Sequence, residues 1–321
     1  MKKWVLCLLL MCFSVWAQAN DDNSNTAEAA WLDQVAHATQ QMDYEGVFVH
    51  QRDDKMEISH ISHRMDKHVE MARLDTLSGP QRSFLRLKNL VYCYTPDGQH
   101  VDIDHRHHHP FFPEILPWPA VQLTKLYQIK PLGHAMVADH DSVGAILLPR
   151  DAYRYGYVVW ADNASHVLLK IIKLNAHEQP IAQSSFTQVN IGNAPSPELL
   201  KTNFTEKELP KAVEAESSTL GQWQVRLAPP GYQSLTATQF DLPGKRQNVV
   251  HLVYSDGLST VSLFIEPINQ LNDAPQHGLF EVGAVNMYTR QLGQFQITAL
   301  GEAPPATLMM MADSLVSTEK K

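Results

Sequence analysis

The sequence predicts an α+β fold built from two antiparallel units, each a sheet with few helices. Three observations lead there. Short runs of β-branched and aromatic residues recur between polar or Gly/Pro breaks. Clear helical spacing of apolar residues occurs near the start and again near the end. A charged stretch poor in large apolar residues, 201–221, separates the two sets of strands. With 321 residues, two domains are also the expectation from length, at roughly 100–200 residues each.

The elements follow in order. Lys2 and Lys3 precede an apolar run from Trp4 to Trp16, and Ala17-Gln18-Ala19 supplies small residues for cleavage. That order is a secretory signal peptide over residues 1–19, too short in its apolar part for a usual membrane span. Met11 is too large for the position before a lipid-carrying cysteine, so Cys12 does not mark a lipoprotein. After a polar stretch from Asn20 to Asn25, expected to fray, Trp31, Leu32, Val35, Ala38 and Met42 recur at helical spacing, with Thr26 the expected N-cap. Strands are then expected at Tyr44–Gln51, Glu57–Arg64, Gln81–Lys88 and Leu90–Thr95, with a turn at Pro96-Asp97-Gly98. The segment Phe111–Pro119, rich in proline, reads as an apolar irregular loop. Arg154–Trp160, Val167–Asn175 and Gln183–Ile191 resume the strands.

Two of these strands bear on shape. Tyr153, Tyr155, Tyr157 and Val159 share one face, and Val167–Leu174 is apolar on both. A sheet with one wet face would alternate with polar residues. An antiparallel sheet curled into a partial barrel satisfies the pattern, and so does an ordinary two-layer core. The first domain is placed at 26–200, the linker at 201–221 and a smaller domain at 222–317. In the smaller one, Val249–Tyr254 and Leu258–Ile265 flank Ser255-Asp256-Gly257, a hairpin signal read as a two-residue turn. Strands at Ala284–Arg290 and Phe295–Leu300 and a helix carrying Leu308, Met311, Ala312 and Leu315 complete it.

Composition narrows the chemistry. Charged residues are 19% and hydrophobic ones 44%, with 26 Lys+Arg against 34 Asp+Glu. This is neither a disordered chain nor a basic nucleic-acid binder, so no nucleic acid is expected as a partner. Loss of residues 1–19 would remove two lysines and no acid, leaving 24 basic against 34 acidic residues, a net −10. It would also remove Cys7 and Cys12, leaving Cys93 with no internal partner. No segment beyond the signal offers about 20 uninterrupted apolar residues, so no membrane span is expected. The motifs of the serine hydrolases, zinc proteases, P-loop proteins and dinucleotide-binding folds are absent from the sequence. The histidine tract is the one metal-like feature: His105, His107 and His109 would project the same way from a strand beside Asp102 and Asp104. It has no spaced second ligand pair, and a solvated tract explains it as well. Neither a cofactor nor a catalytic residue is expected.

The resemblance that organises these readings lies in Tyr44-Glu45-Gly46-Val47-Phe48-Val49, Ser78-Gly79-Pro80-Gln81-Arg82 and Tyr155-Gly156-Tyr157-Val158-Val159-Trp160. It is stronger in the run from Val253 to Pro267, VYSDGLSTVSLFIEP, and in Gly301-Glu302-Ala303-Pro304-Pro305-Ala306-Thr307. Their order and spacing, from Trp31 to Val316, resemble the RseB/MucB family. The resemblance implies a first domain similar to the lipoprotein carriers LolA and LolB, a half-open antiparallel β-barrel with helices. It implies a soluble periplasmic regulator that binds the periplasmic part of a membrane-spanning anti-sigma factor similar to RseA or MucA. Such a regulator shields that segment from the first regulated protease and is released by lipopolysaccharide or another lipid. On this reading Phe48, Leu85, Leu87, Tyr92, Tyr155 and Tyr157 are the candidates for a lipid cavity, and Ser255, Asp256, Gly257 and Leu258 the candidates for facing the partner. The rival reading is a periplasmic lipid or lipoprotein carrier, and a third is a metal enzyme using the histidine tract. The sequence leaves the oligomeric state open, a homo-oligomer included.

Overall fold

A computed structural model describes residues 18–67, 69–87, 90–94, 101–105, 111–201, 222–242, 246–268, 277–282 and 285–318. The expected signal sequence up to residue 17, the turn at Pro96-Asp97-Gly98, His107 to His109 and the linker from residue 202 lie outside the described residues.

The first helix, α1, spans Gln18–Gln41. Thr26 is therefore inside it rather than at its cap, and the stretch from Asn20 to Asn25 is helical rather than frayed. Nothing between Gln18 and Gln41 is Gly or Pro, so no residue there breaks the helical backbone. Ala29, Leu32, Val35, Ala36 and Thr39 form its buried stripe. Thr39 donates to the Val35 carbonyl at 2.7 Å and accepts from the Leu168 amide at 3.0 Å, which makes its burial tolerable.

Eleven strands follow. They are β1 (Tyr44–Arg52), β2 (Lys55–Asp66), β3 (Val69–Ser78), β4 (Ser83–Leu87), β5 (Leu90–Tyr94) and β6 (Val101–His105). After the loop come β7 (Tyr127–Val137), β8 (His140–Pro149), β9 (Gly156–Asp162), β10 (Leu168–Leu174) and β11 (Pro180–Ile191). They form one sheet in the order β6-β5-β4-β3-β2-β1-β11-β10-β9-β8-β7, antiparallel throughout. Strands β6 and β7 are its edges, so the sheet is open. One face carries Tyr44, Phe48, Ile61, Leu74, Ile129, Leu147, Val159 and Phe186. Against that inner face pack α1, the segment Phe111–Pro119 and a short 3-10 turn over Ala120–Lys125. Asp33 of α1 accepts from the Ala120 amide and fixes that turn to the helix.

The second unit has strands β12 (Trp223–Val225), β13 (Gln233–Leu242), β14 (Arg246–Ser255), β15 (Thr260–Pro267) and β16 (Gly278–Val282). Then come β17 (Val285–Leu292), β18 (Phe295–Gly301), helix α2 (Pro305–Asp313) and β19 (Leu315–Ser317). Its main sheet runs β13-β14-β15-β18-β17-β16, while β12 and β19 make a separate pair. Pro304 and Pro305 open α2, where a fixed φ suits a helix start and a missing N–H is no loss. Leu308, Met311, Ala312 and Leu315 are all buried on Val261, Leu263 and Ile297.

The hairpin between β14 and β15 is longer than a two-residue turn. Ser255 pairs with Thr260, leaving the four residues Asp256–Ser259 in the loop. The Asp256 carboxylate explains the length: its Oδ1 accepts from the amides of Leu258 at 3.0 Å and Ser259 at 2.8 Å, and so builds its own turn. Gly257 takes a φ of +98° there, a conformation that favours glycine.

Candidate functional site

Segment Phe111–Pro119 does not lie on the surface as an ordinary loop would. Phe112, Pro113, Glu114 and Leu116 are buried against the inner face of the first sheet. The Phe112 ring lies 4.9 Å from that of Phe48 on β1 and 5.1 Å from that of Phe186 on β11. Phe111 lies 6.3 Å from Phe84, and the Arg86 guanidinium sits 4.1 Å over its ring. The segment is an internal plug, and the peptide bonds Phe112–Pro113 and Trp118–Pro119 are cis.

Beside the aromatic contacts lies a buried cluster of charges. Arg86, wholly buried on β4, donates through Nη1 to Glu70 Oε1 at 2.9 Å and meets Glu114 Oε2 at 2.5 Å. Tyr44 Oη donates to Glu114 Oε1 at 3.4 Å. The His63 ring stacks on Tyr44, with centroids 4.7 Å apart and planes within 9°. Its Nδ1 donates to the carbonyl of Met42, the residue just after α1, at 2.7 Å. That bond turns Nε2 toward the carboxylates, 3.5 Å from Glu70 Oε1 and 3.9 Å from Glu114 Oε1. Burial alone would push the His63 pKa down. The carboxylates of Glu70, 3.5 Å away, and Glu114 outweigh burial and hold it above the ordinary value. Arg86 and His63 set positive charge beside Glu70 and Glu114, and such pairing is what makes buried charges tolerable away from water.

His63, Glu70 and Glu114 bring ligand atoms within 4.8 Å of one another, a spacing a metal ion would accept. Arg86 already spends its charge on both carboxylates, so the protein supplies its own cation at that place. Arg86 Nε and Nη2 have no hydrogen-bond partner among the described residues.

The residues singled out from sequence are not gathered in one cavity. Phe48 lies on the inner face, under Phe112. Leu85, Leu87 and Tyr92 form a separate cluster with Leu90 and Tyr94. Side chains alternate along a strand, and Phe84 and Arg86 face the plug, so Leu85 and Leu87 point the other way. These three are therefore corrected out of any inner cavity. Tyr157 is buried on the inner face beside Tyr127, and its hydroxyl donates to the Leu258 carbonyl at 3.4 Å. The Tyr155 hydroxyl accepts from Asn286 Nδ2 at 2.9 Å. Both tyrosines belong to a seam between the two units.

The loop Asp256–Ser259 belongs to the same seam. Asp256, expected to face a partner, has a side chain 0% exposed and pairs with Arg154 Nη1 at 3.1 Å. Arg154, equally buried, also bonds Asp151 through Nε at 3.0 Å and the Pro230 carbonyl through Nη2 at 2.6 Å. Here the reading of Asp256 as a partner-facing residue is corrected, because an unpaired carboxylate at this depth would be far costlier than the pair. Ser255 Oγ is spent on the Ser259 carbonyl and the Gly257 amide, and Leu258 packs against the first core. Further along the seam Glu302 meets Arg52 at 3.4 Å and also Lys173, while Thr307 Oγ1 donates to the Tyr153 carbonyl at 2.5 Å. As for the histidine tract, β6 ends at His105, while His107 and His109 lie outside the described residues.

Sequence reading missed His63, Glu70, Arg86, Glu114 and Arg154. One signal was present: Glu114 is the single charge in the apolar run FFPEILPWP. A lone carboxylate in such a run needs a buried cation, and Arg86 supplies it.

Comparison with known proteins places this geometry. The family described as MucB/RseB N-terminal domain matches residues 27–213, and that described as MucB/RseB C-terminal domain matches residues 217–316. The sigma factor AlgU regulatory protein MucB of Pseudomonas aeruginosa is 28% identical over 317 residues, covering 96% of each chain. The sigma-E factor regulatory protein RseB of Haemophilus influenzae is 26% identical, covering 86% of this chain and 87% of its own. The RseB of Escherichia coli K12 is 21% identical over 98% of both. In fold, the chain matches MucB in the solved Pseudomonas aeruginosa MucA/MucB complex with a TM-score of 0.74 at 24% identity, over 92% of this chain and 100% of that one. MucB solved in complex with MucA(peri) gives 0.71 at 24% identity, over 91% and 99%. With both domain families matched in tandem along nearly its whole described length, this chain belongs to the MucB/RseB family.

Proposed function

We propose that this protein is an exported regulator of an extracytoplasmic sigma factor. It binds the periplasmic segment of a membrane-spanning anti-sigma factor, shields that segment from the first regulated protease and lets go when lipid binds. The observation that carries this reading is the tandem match of both MucB/RseB domains over a chain as long as the regulators themselves. MucB of Pseudomonas aeruginosa has been solved with MucA, which supports a partner of that kind here.

The structure is consistent with action by occupancy. The buried charges of the first unit are committed to one another, and those of the seam hold two domains together. Among the described residues no helix is long and apolar enough to cross a membrane. Release by lipid is a linkage effect: a ligand that prefers the free protein weakens the complex by its differential affinity.

The test is a protease-protection assay. The full-length protein without residues 1–19, at saturating concentration, is expected to slow cleavage of the cognate anti-sigma segment, and added lipid to restore it. Cleavage at the same rate with and without the protein would end this reading.

A further inference from the structure

We propose that the cleft between α1 and the β7–β8 hairpin is a binding site for a small methylated ammonium ion, a free solute of the choline type. The site lies apart from the seam and from the charges around Arg86, and it depends on neither the anti-sigma partner nor lipid.

The cleft is lined by Ala27, Glu28 and Trp31 of α1 and by Pro131, Val143, Gly144 and Ala145 of the sheet. The sheet leaves this space for local reasons. The register of β7 against β8 shifts between Pro131 and Gly133, and Gly133 takes a φ of +80°. Such a bulge bends its strand. On β8 the facing residues are Gly144 and Ala145, which offer almost no side chain. A volume of about 200 Å³ results. At about 30 Å³ for each water-sized group, it holds roughly seven heavy atoms. Glu28 and Trp31 are half-buried, so the cleft is within reach of a dissolved ion.

One charge governs the lining. Glu28 is its single carboxylate, and Oε2 is shielded from solvent with no hydrogen-bond partner among the described residues. Shielded carboxylate oxygens are ordinarily bonded, and one that is not marks a place suited to a cation. Trp31 stands one turn further along the same helix face, beside that carboxylate. Indole is the best aromatic partner for a cation. The other walls are apolar, which suits a charge spread over methyl groups. A primary ammonium brings three N–H donors, and Glu28 is the one side-chain acceptor in the lining. A calcium or magnesium ion would need several more oxygen ligands. A zwitterion would set its own carboxylate against Glu28. The volume admits a head group without an acyl chain.

The test uses the full-length protein without residues 1–19 and five probes: choline, its uncharged carbon isostere 3,3-dimethylbutanol, ethanolamine, potassium chloride and monomeric dihexanoylphosphatidylcholine. Calorimetry is expected to show one choline bound per chain, with the isostere, ethanolamine and potassium each at least tenfold weaker. Glu28→Gln keeps the shape and removes the charge, so it should weaken choline at least tenfold. Choline should also slow hydrogen exchange over residues 27–31 of the unmodified protein, a readout that holds even where E28Q does not fold. Equal binding of the isostere, unchanged choline affinity in folded E28Q, or unchanged exchange over 27–31 would each overturn the site. Equal binding of ethanolamine would overturn the preference for methylated ammonium. Tighter binding of the phosphatidylcholine than of choline would overturn the assignment to a free solute.

Discussion

His63 has the most to lose from a change of proton. Glu70 and Glu114 face its Nε2, the Met42 carbonyl holds Nδ1, and Arg86 lies beyond the carboxylates. Because its pKa is raised in the folded state, its contribution to stability is complete below the unfolded value of about 6.5. That contribution drains away as pH climbs through the folded-state value. Denaturant midpoints of the unmodified protein should therefore fall across that alkaline limb, and His63→Gln should flatten it. Equal slopes in both proteins would show that His63 does not titrate there. At the seam, Asp256→Ala leaves Arg154 with Asp151 as its one carboxylate partner among the described residues and removes the loop acceptor as well, and should cost about 3–5 kcal/mol by denaturant melt. Asp256→Asn keeps a side-chain oxygen for the Leu258 and Ser259 amides, and should cost about 1–3 kcal/mol.

Among the elements, the plug is the one whose removal should be felt most in the first core. Phe112→Ala should destabilise by about 3–5 kcal/mol, since its ring fills the space between Phe48 and Phe186; equilibrium unfolding measures it. Legibility from sequence varies at this scale for physical reasons. Strands β1, β2, β9, β10 and β11 show apolar or aromatic runs and can be read directly. Strand β3 hides its period because Arg73 and Asp75 pair with each other on one face while Ala72 and Leu74 are buried on the other. Strand β7 is an edge, exposed from Lys130 to Ala135 apart from partial cover, so nothing forces its alternation. In β4 the alternation is visible but its sense is not. Leu85 and Leu87 look more core-like than Phe84 and Arg86, yet it is Phe84 and Arg86 that meet the plug. Period two distinguishes faces; only the partner across the gap, here Glu114, says which one turns inward.

For the whole molecule, the architecture of two antiparallel units was readable because turn chemistry and apolar runs are local properties. The way the units meet was not, because Arg154 and Asp256 are 102 residues apart and each looks like an ordinary surface charge. Among the described residues they are the most deeply buried charged link between the two cores. Scanning calorimetry should give one transition for the unmodified protein, while Asp256→Ala should separate it into two. A single transition in the variant would place the coupling elsewhere, with Glu302 and its partners Arg52 and Lys173 the next to probe.

Gly257 sits so close to the tail of the plug that a methyl group added to it would come within 3.1 Å of Pro117. Only four residues separate Phe112, deep in the first core, from that point of touch. The strand-to-strand corner of the smaller unit thus rests on the far end of a short stiff lever whose near end is buried among aromatic rings. A bulkier residue at 257 would therefore press on the same segment that seats Phe112 between Phe48 and Phe186.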